Sequence, residues 1–227
     1  EEKWGVPTSK LIVTGMPRLD NLNLNEKKQK IESIMFFPTW REWLINEDFY
    51  GFSKTNYYIS IIQLIKDESF ISLLKRNNIT LKMILHPFFV KFSNQFKSEV
   101  LSIKDIKNRV ELFEFEDLSI QKEIIKSDLL ITDYSSIAWD FYYLNKPIIF
   151  YQFDQEEYIK RRGSYLDLNK DLFGYKALNS TEVIKYLNEI LLKGENYNKK
   201  YNEIRKYFDY LDNNNCRRLY ETIKSLN

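Results

Sequence analysis

The chain has a single cysteine, Cys216, and a single histidine, His86, among its 227 residues. One cysteine excludes an internal disulfide framework and suits a reducing compartment. Together the two residues also fall short of the three or four such ligands that a zinc site takes. No apolar run approaches the roughly 18 residues of a membrane span, and no signal peptide is visible. Glycine and proline are sparse, at six and five residues. Internal repeats and low-complexity segments are lacking as well, so fibrous and linker-like architectures are excluded. The 34 basic and 32 acidic residues nearly cancel to a net charge of +2. Without a run of like charge, nothing marks the chain for wholesale nucleic-acid binding. It opens at EEKWGVP without methionine, and is expected to be a fragment of a longer protein.

What the chain does have is aromatic side chains, 16% of its residues, in a length that fits one large domain or two small ones. Short apolar runs alternate with helical patterns. Leu11–Thr14, Ile34–Phe37, Leu81–Leu85, Val110–Phe113, Leu129–Thr132 and Ile148–Tyr151 read as strands. They are continuous rather than alternating, as parallel strands buried on both faces are. Tyr58, Ile61, Ile62 and Ile65 fall on one helical face, and Cys216, Leu219, Tyr220 and Ile223 repeat that spacing near the end. Leu118 to Lys126 and Ile137 to Leu144 read as shorter helices, the second closed by Asn145 and Pro147. The alternation predicts an α/β fold, a Rossmann-like parallel sheet with helices on both faces. Such sheets bind ligands at the carboxyl ends of their strands, which selects the loops PTWRE, HPF, EFED and DYSS.

In LLITDYSSIAWDF the helix is expected to begin at about Ser135 or Ser136. A helix start presents unpaired N–H groups and a positive dipole end, both suited to phosphate. The plain alternative makes Ser135 an N-cap and Ser136 a solvated neighbour. Asp140, one turn on, suits a ribose hydroxyl or simply faces solvent. His86 stands before Pro87, which pushes it toward an extended conformation. There an imidazole can donate to phosphate or protonate a leaving group, or serve only as a loop residue. Thr39 and Arg41 are further phosphate candidates, with arginine the natural bidentate partner. Trp40 and Trp43 are expected to pack. The lone Cys216 is expected to be a small core residue.

VTGMPRLD, PTWRE, LHPF, LLITDYSSIAWDFYYLNKPIIFYQFDQEEY and RRGSYLD, in this order from Val13 to about Gly174, resemble the CDP-glycerol glycerophosphotransferases. These are the teichoic acid polymerases and primases, with relatives in capsule synthesis. The tail DNNNCRRLYETI is similar to the family's closing segment, with Asn213 in place of a glycine. The resemblance implies the C-terminal, nucleotide-binding half of a two-domain GT-B transferase. Residues 1–227 would form that single domain, with 1–30 as an interdomain segment and 196–227 as C-terminal helices. The N-terminal acceptor domain would lie outside this chain.

By the same resemblance Ser135, Ser136 and Thr39 would bind phosphate, and His86 would meet the diphosphate. Asp140 would meet the ribose, and backbone around Phe115 the cytosine. Arg162 and Gly163 fall in a matching RG motif of less defined role, and Arg18 and Asp20 fit a structural part of the hinge. The implied reaction moves glycerol phosphate from CDP-glycerol to a hydroxyl of a teichoic-acid-like or capsular polymer and releases CMP. It implies no cofactor, and the chain contains no Asp-x-Asp pair for a dedicated metal. The base would come from a histidine in the other half, so this chain would bind donor but catalyse poorly alone. The full-length protein would work in the cytoplasm at the inner membrane face, as a peripheral protein. Two other readings stay open: a GT-B glycosyltransferase using a nucleotide sugar, and a nucleotide-binding module without activity of its own.

Overall fold

Continuous apolar runs too short for helices become strands only where both their faces can be covered. The structure is a computed structural model that describes residues 5–22, 30–103, 109–194 and 207–226. It meets that demand with a six-stranded, wholly parallel sheet. The strands are β1 (Ser33–Phe37), β2 (Thr80–Leu85), β3 (Val110–Glu114), β4 (Leu129–Thr132), β5 (Ile148–Tyr151) and β6 (Tyr175–Ala177). Their spatial order is β3-β2-β1-β4-β5-β6, so the winding direction reverses between β1 and β4. This is the doubly wound Rossmann-like order.

The helices of this sheet unit are α1 (Phe49–Phe52), α2 (Asn56–Lys66), α3 (Glu68–Arg76), α4 (Ser93–Leu101), α5 (Ile120–Lys126), α6 (Ile137–Tyr143), α7 (Gln155–Arg162) and α8 (Ser180–Lys193). Short polar side chains start several of them: Asp48, Thr55, Asp67 and Asn179 accept backbone N–H groups at the first turns of α1, α2, α3 and α8. Ile34 and Phe36, Leu81 and Met83, Leu129 and Ile131, and Ile149 and Tyr151 share one core with α2, α3, α4 and α8. The residues between them point to the opposite face, against which α5 and α6 pack. Much of the aromatic content is in the first layer. Phe52 stacks on Phe92 at 4.3 Å between ring centres and also meets Tyr57, Tyr58, Phe89 and Phe96.

Five of the six expected strands form within one residue of their expected ends. The sixth, Leu11–Thr14, does not. It joins no ladder, and Leu11, Ile12 and Val13 are 50%, 57% and 58% exposed. An apolar run without a neighbouring strand has no ladder to join; here the Leu11 N–H donates to the Thr8 carbonyl and the Thr14 carbonyl accepts from Arg218 Nε instead. β6 was not expected. It is a three-residue strand paired only with β5, with Lys176 at its centre, too short and polar to register as an apolar run. Gly174 sets its approach, because a Cβ there would sit 2.6 Å from the Ile148 carbonyl oxygen.

Glu1–Lys27 with Glu203–Asn227 forms a second compact unit. Within it, Asp20 accepts the N–H groups of Asn215 (2.9 Å) and Cys216 (2.7 Å) at the start of α9 (Asn215–Ser225). An anion at a helix start is favoured by the helix dipole, and it gives Asp20 the structural role expected of it. Cys216 is exposed, not a core residue, and Tyr220 and Ile223 are 66% and 54% exposed. The helical spacing was there, but the described residues do not bury that face. Residues 1–4, 23–29 and 195–206, parts of the two flanking segments, lie outside the described residues.

Lys146 closes the other layer. Its ammonium donates to the carbonyls of Ile124 (2.8 Å), Ile125 (2.6 Å) and Ser127 (2.7 Å), the otherwise unpaired end of α5. Asn145, at φ +54, makes the turn that delivers it there. Lys146→Met should therefore lower unfolding stability by about 1.5–3 kcal/mol, the range for a lost charge-assisted hydrogen bond. Urea denaturation checks this, with the highly exposed Lys170→Met as the control that should change little.

Candidate functional site

In a doubly wound sheet the crevice opens where the winding reverses, here at the carboxyl ends of β1 and β4. Phe37, the last residue of β1, pairs in register with Thr132, the last of β4, and the Thr132 hydroxyl donates to the Phe37 carbonyl at 2.6 Å. The next residues are Pro38, Thr39, Trp40 and Arg41 on one strand and Asp133, Tyr134, Ser135 and Ser136 on the other. The two loops are therefore neighbours by topology.

Asp133 joins them. Its Oδ1 accepts the N–H of Thr39 (2.9 Å) and of Tyr134 (2.6 Å), and its Oδ2 lies 2.9 Å from Arg41 Nη2. Arg41 is wholly buried, at 0% exposure. Its Nε and Nη2 form a fork on Asp154 at 2.7 and 2.9 Å, and its Nη1 donates to the Thr39 carbonyl at 2.6 Å. The rings of Tyr57, Tyr134, Phe153 and Tyr158 surround the guanidinium at 5.0–5.7 Å. Burial works against its charge, but the pull of Asp133 and then of Asp154 prevails and raises its pKa. Burial also raises the phenol of Tyr134, helped by the charges of Asp154 and Asp133, so it stays neutral. The expectation that Arg41 reaches a phosphate is thereby corrected: its fork is spent inside the fold.

Thr39 keeps one group uncommitted. Its N–H and carbonyl serve Asp133 and Arg41, while its buried Oγ1 has no hydrogen-bond partner among the described residues. Ser136 is the exposed residue before α6, and the half-buried Ser135 accepts the Ile137 N–H at 3.3 Å. The capping hydroxyl is thus Ser135, while the Ser136 side chain caps nothing in α6. Asp140 is 5% exposed, which removes its solvent-facing alternative.

His86 is extended (φ −64, ψ 143), as its following proline dictates. Its ring packs against Trp40 (5.5 Å) and Phe88 (5.4 Å), which also meet each other at 4.6 Å, so Trp40 packs as expected and ties the β2 loop to the β1 loop. Nδ1 accepts the Phe88 N–H at 3.4 Å, which assigns the proton of the neutral ring to Nε2. Burial lowers its pKa from 6.5.

The remaining candidates lie around this centre. Phe115, in the turn after β3, has its ring 6.3 Å from that of Phe37. Arg162 pairs with Glu42 at 2.5 Å, an exposed contact of little energy. It nevertheless brings the end of α7 to the β1 loop, where Arg161 also lies over Trp43. Gly163 follows at φ +70 and ψ −177, a conformation that suits glycine. The residues that sequence reasoning left unassigned are Asp133, Asp154, Tyr134 and Tyr158. The available signal was one charged residue just past each of three strands, with Asp154 in FDQEE completing the set.

The depressed pKa of His86 sets a sign for stability. Below 6.5 the unfolded chain binds a proton that the folded one resists, so stability falls as pH drops through that window. Urea midpoints should fall between about pH 7.5 and pH 5.5, above the carboxylate range, and His86→Gln should remove that part of the fall. Equal falls in both proteins would contradict the assignment.

Residues 1–225 match the sequence profile of the CDP-Glycerol:Poly(glycerophosphate) glycerophosphotransferase family. The minor teichoic acid biosynthesis protein GgaB of Bacillus subtilis is 27% identical over 95% of this chain and 24% of its own length. A teichoic acid glycerol-phosphate transferase of Staphylococcus aureus is 30% identical over 84% of this chain and 48% of its own. The chain thus spans about a quarter to a half of the length of these curated relatives. Among solved structures, the wall teichoic acid polymerase TagF superposes with a TM-score of 0.62 at 22% identity, over 95% of this chain and 52% of that one. A putative UDP-N-acetylglucosamine 2-epimerase from Listeria monocytogenes superposes at 0.59 and 16%, over 97% of this chain and 55% of that one. At those identities the superpositions establish the fold alone. The sequence match over nearly the whole length settles the relationship: the chain belongs to the CDP-glycerol:poly(glycerophosphate) glycerophosphotransferase family.

Proposed function

We propose that this chain is the donor-binding half of a transferase that moves glycerol phosphate, or a related alditol phosphate, from CDP-glycerol to a hydroxyl of a teichoic-acid-like or capsular polymer. The observation that carries the reading is the convergence, at the β1/β4 edge, of a Thr39 hydroxyl without a partner among the described residues, the Ser136 hydroxyl and, through Trp40, the His86 imidazole. In a member of this family, that chemistry is suited to a diphosphate. In this reading the acceptor and its base belong to a half outside these 227 residues, with 1–30 as an interdomain segment and 196–227 as C-terminal helices. The same reading has the full-length protein working in the cytoplasm at the inner membrane face. Among the described residues, no helix is long and apolar enough to cross a membrane.

In the proposed reaction the acceptor hydroxyl attacks the distal phosphorus. A new P–O bond forms, the bond to the bridging oxygen breaks, and CMP leaves with the electron pair. The chain's contribution is to orient the diphosphate and stabilise charge as it moves onto the bridging oxygen. Ser136, the first-turn N–H groups of α6 and Thr39 Oγ1 supply hydrogen bonds. His86 supplies one from Nε2–H, as the neutral donor its pKa direction favours. Asp140, one turn beyond Ser136, is assigned to the ribose, and the turn at Phe115 to the base. Arg162 and Gly163 shape the approach beside the β1 loop.

If the diphosphate is the element gripped, CDP should bind nearly as well as CDP-glycerol, and cytidine far more weakly. Calorimetry with these ligands and a UDP-sugar tests the reading. Equal affinity for cytidine and CDP would overturn the site, and tighter UDP-sugar binding would overturn the donor class. Ser136→Ala and His86→Ala should each weaken CDP by about 1.5–3 kcal/mol, roughly 10- to 150-fold, at unchanged thermal stability at neutral pH. Loss of stability in proportion to binding would make both residues structural.

A further inference from the structure

We propose that Arg41 is a positioning residue: with Asp133 and Asp154 it locks the Asp133–Ser136 loop into the form that meets the donor's diphosphate, without touching the donor itself. This rests on the functional reading above and assigns a separate role within it.

Three observations carry the inference. Arg41 has no exposed surface, and its contacts are with Asp154, Asp133 and the Thr39 carbonyl. The set of one guanidinium and two carboxylates is net negative, so it offers a diphosphate no attraction of its own. And the set acts on the loop at consecutive points. Asp133 Oδ1 takes the N–H of both Thr39 and Tyr134, fixing the first peptides of the two loops against each other. Tyr134 is then held by its own side chain, stacked on Tyr158 at 3.5 Å with its hydroxyl donating to Asp154 Oδ1 at 3.2 Å. Ser135 and Ser136 come next, so their placement is inherited from a tyrosine clamped on three sides.

Lysine keeps the charge at this position but lacks the planar fork that serves two carboxylates at once. Arg41→Lys should therefore leave the sheet intact and loosen the loop. Hydrogen exchange in the ligand-free chain should speed up at the amides of Tyr134–Ile137, with those of Leu129–Thr132 unchanged. CDP binding should weaken by about tenfold or more, and Ser136→Ala, added to Arg41→Lys, should cost less than about threefold further. Tyr134→Phe, which keeps the ring and removes the bond to Asp154, is a milder second variant and should give the same exchange pattern.

Unchanged exchange at Tyr134–Ile137 in both variants would overturn the proposal. So would strictly additive losses from Arg41→Lys and Ser136→Ala, because a residue acting through the loop cannot be independent of it. A wild-type chain that fails to prefer CDP over cytidine would instead defeat the functional reading. The ligand-free exchange measurement would still decide whether the lock exists.

Discussion

A guanidinium with no exposed surface is the feature on which the site depends. Removing such a charge from water costs several kcal/mol unless partners of good geometry replace the lost hydration. Arg41 has them in Asp133, Asp154 and the Thr39 carbonyl. Each partner lies on a different segment past the carboxyl ends of β1, β4 and β5, so keeping the charge satisfied means keeping those segments in one arrangement. Removing one carboxylate would leave the buried charge under-compensated, a steeper penalty than the contact itself is worth. In the proposed lock, this electrostatic requirement joins the loops that face the crevice.

The sheet supplies the frame for that requirement. β1 and β4 are adjacent where the winding reverses, and an aspartate beside each end of β4 ties it to β1. Asp128, before β4, accepts the N–H groups of Glu32 and Ser33 at 2.9 and 3.0 Å. Asp133, after it, accepts that of Thr39. The strand pair is thus tied by side chains at both its amino and its carboxyl edge. The aromatic layer beneath, centred on Phe52, fills the space under α2 and α4. A further set of rings (Tyr57, Tyr134, Phe153 and Tyr158) extends to the guanidinium and keeps water from it.

Much of this was legible in the sequence, for reasons that differ by residue. β4 and β5 were readable to the residue because strands buried on both faces are continuously apolar and end where polar loops begin. The short edge strand β6 carries no such signal, and Leu11–Thr14 carries it without a strand to pair with. At the proposed site, residue type and distance from a strand end single out Thr39, His86, Ser135 and Ser136 as candidates. They could not say which way Arg41 points. An arginine past a parallel strand suits a phosphate and a pair of aspartates equally, and the choice depends on Asp154, 113 residues away in sequence. Cys216 failed similarly: helical spacing marks a face without specifying what covers it.

In the proposed donor site the diphosphate is met at the β1/β4 edge by side chains that the Arg41 lock holds in place. A crystal structure of the chain with CDP tests it most directly. The account predicts phosphate oxygens at about 3 Å from the Ser136 hydroxyl and His86 Nε2, with the Arg41 fork still on Asp133 and Asp154. A diphosphate bound elsewhere, or an Arg41 swung out to hold it, would contradict the account.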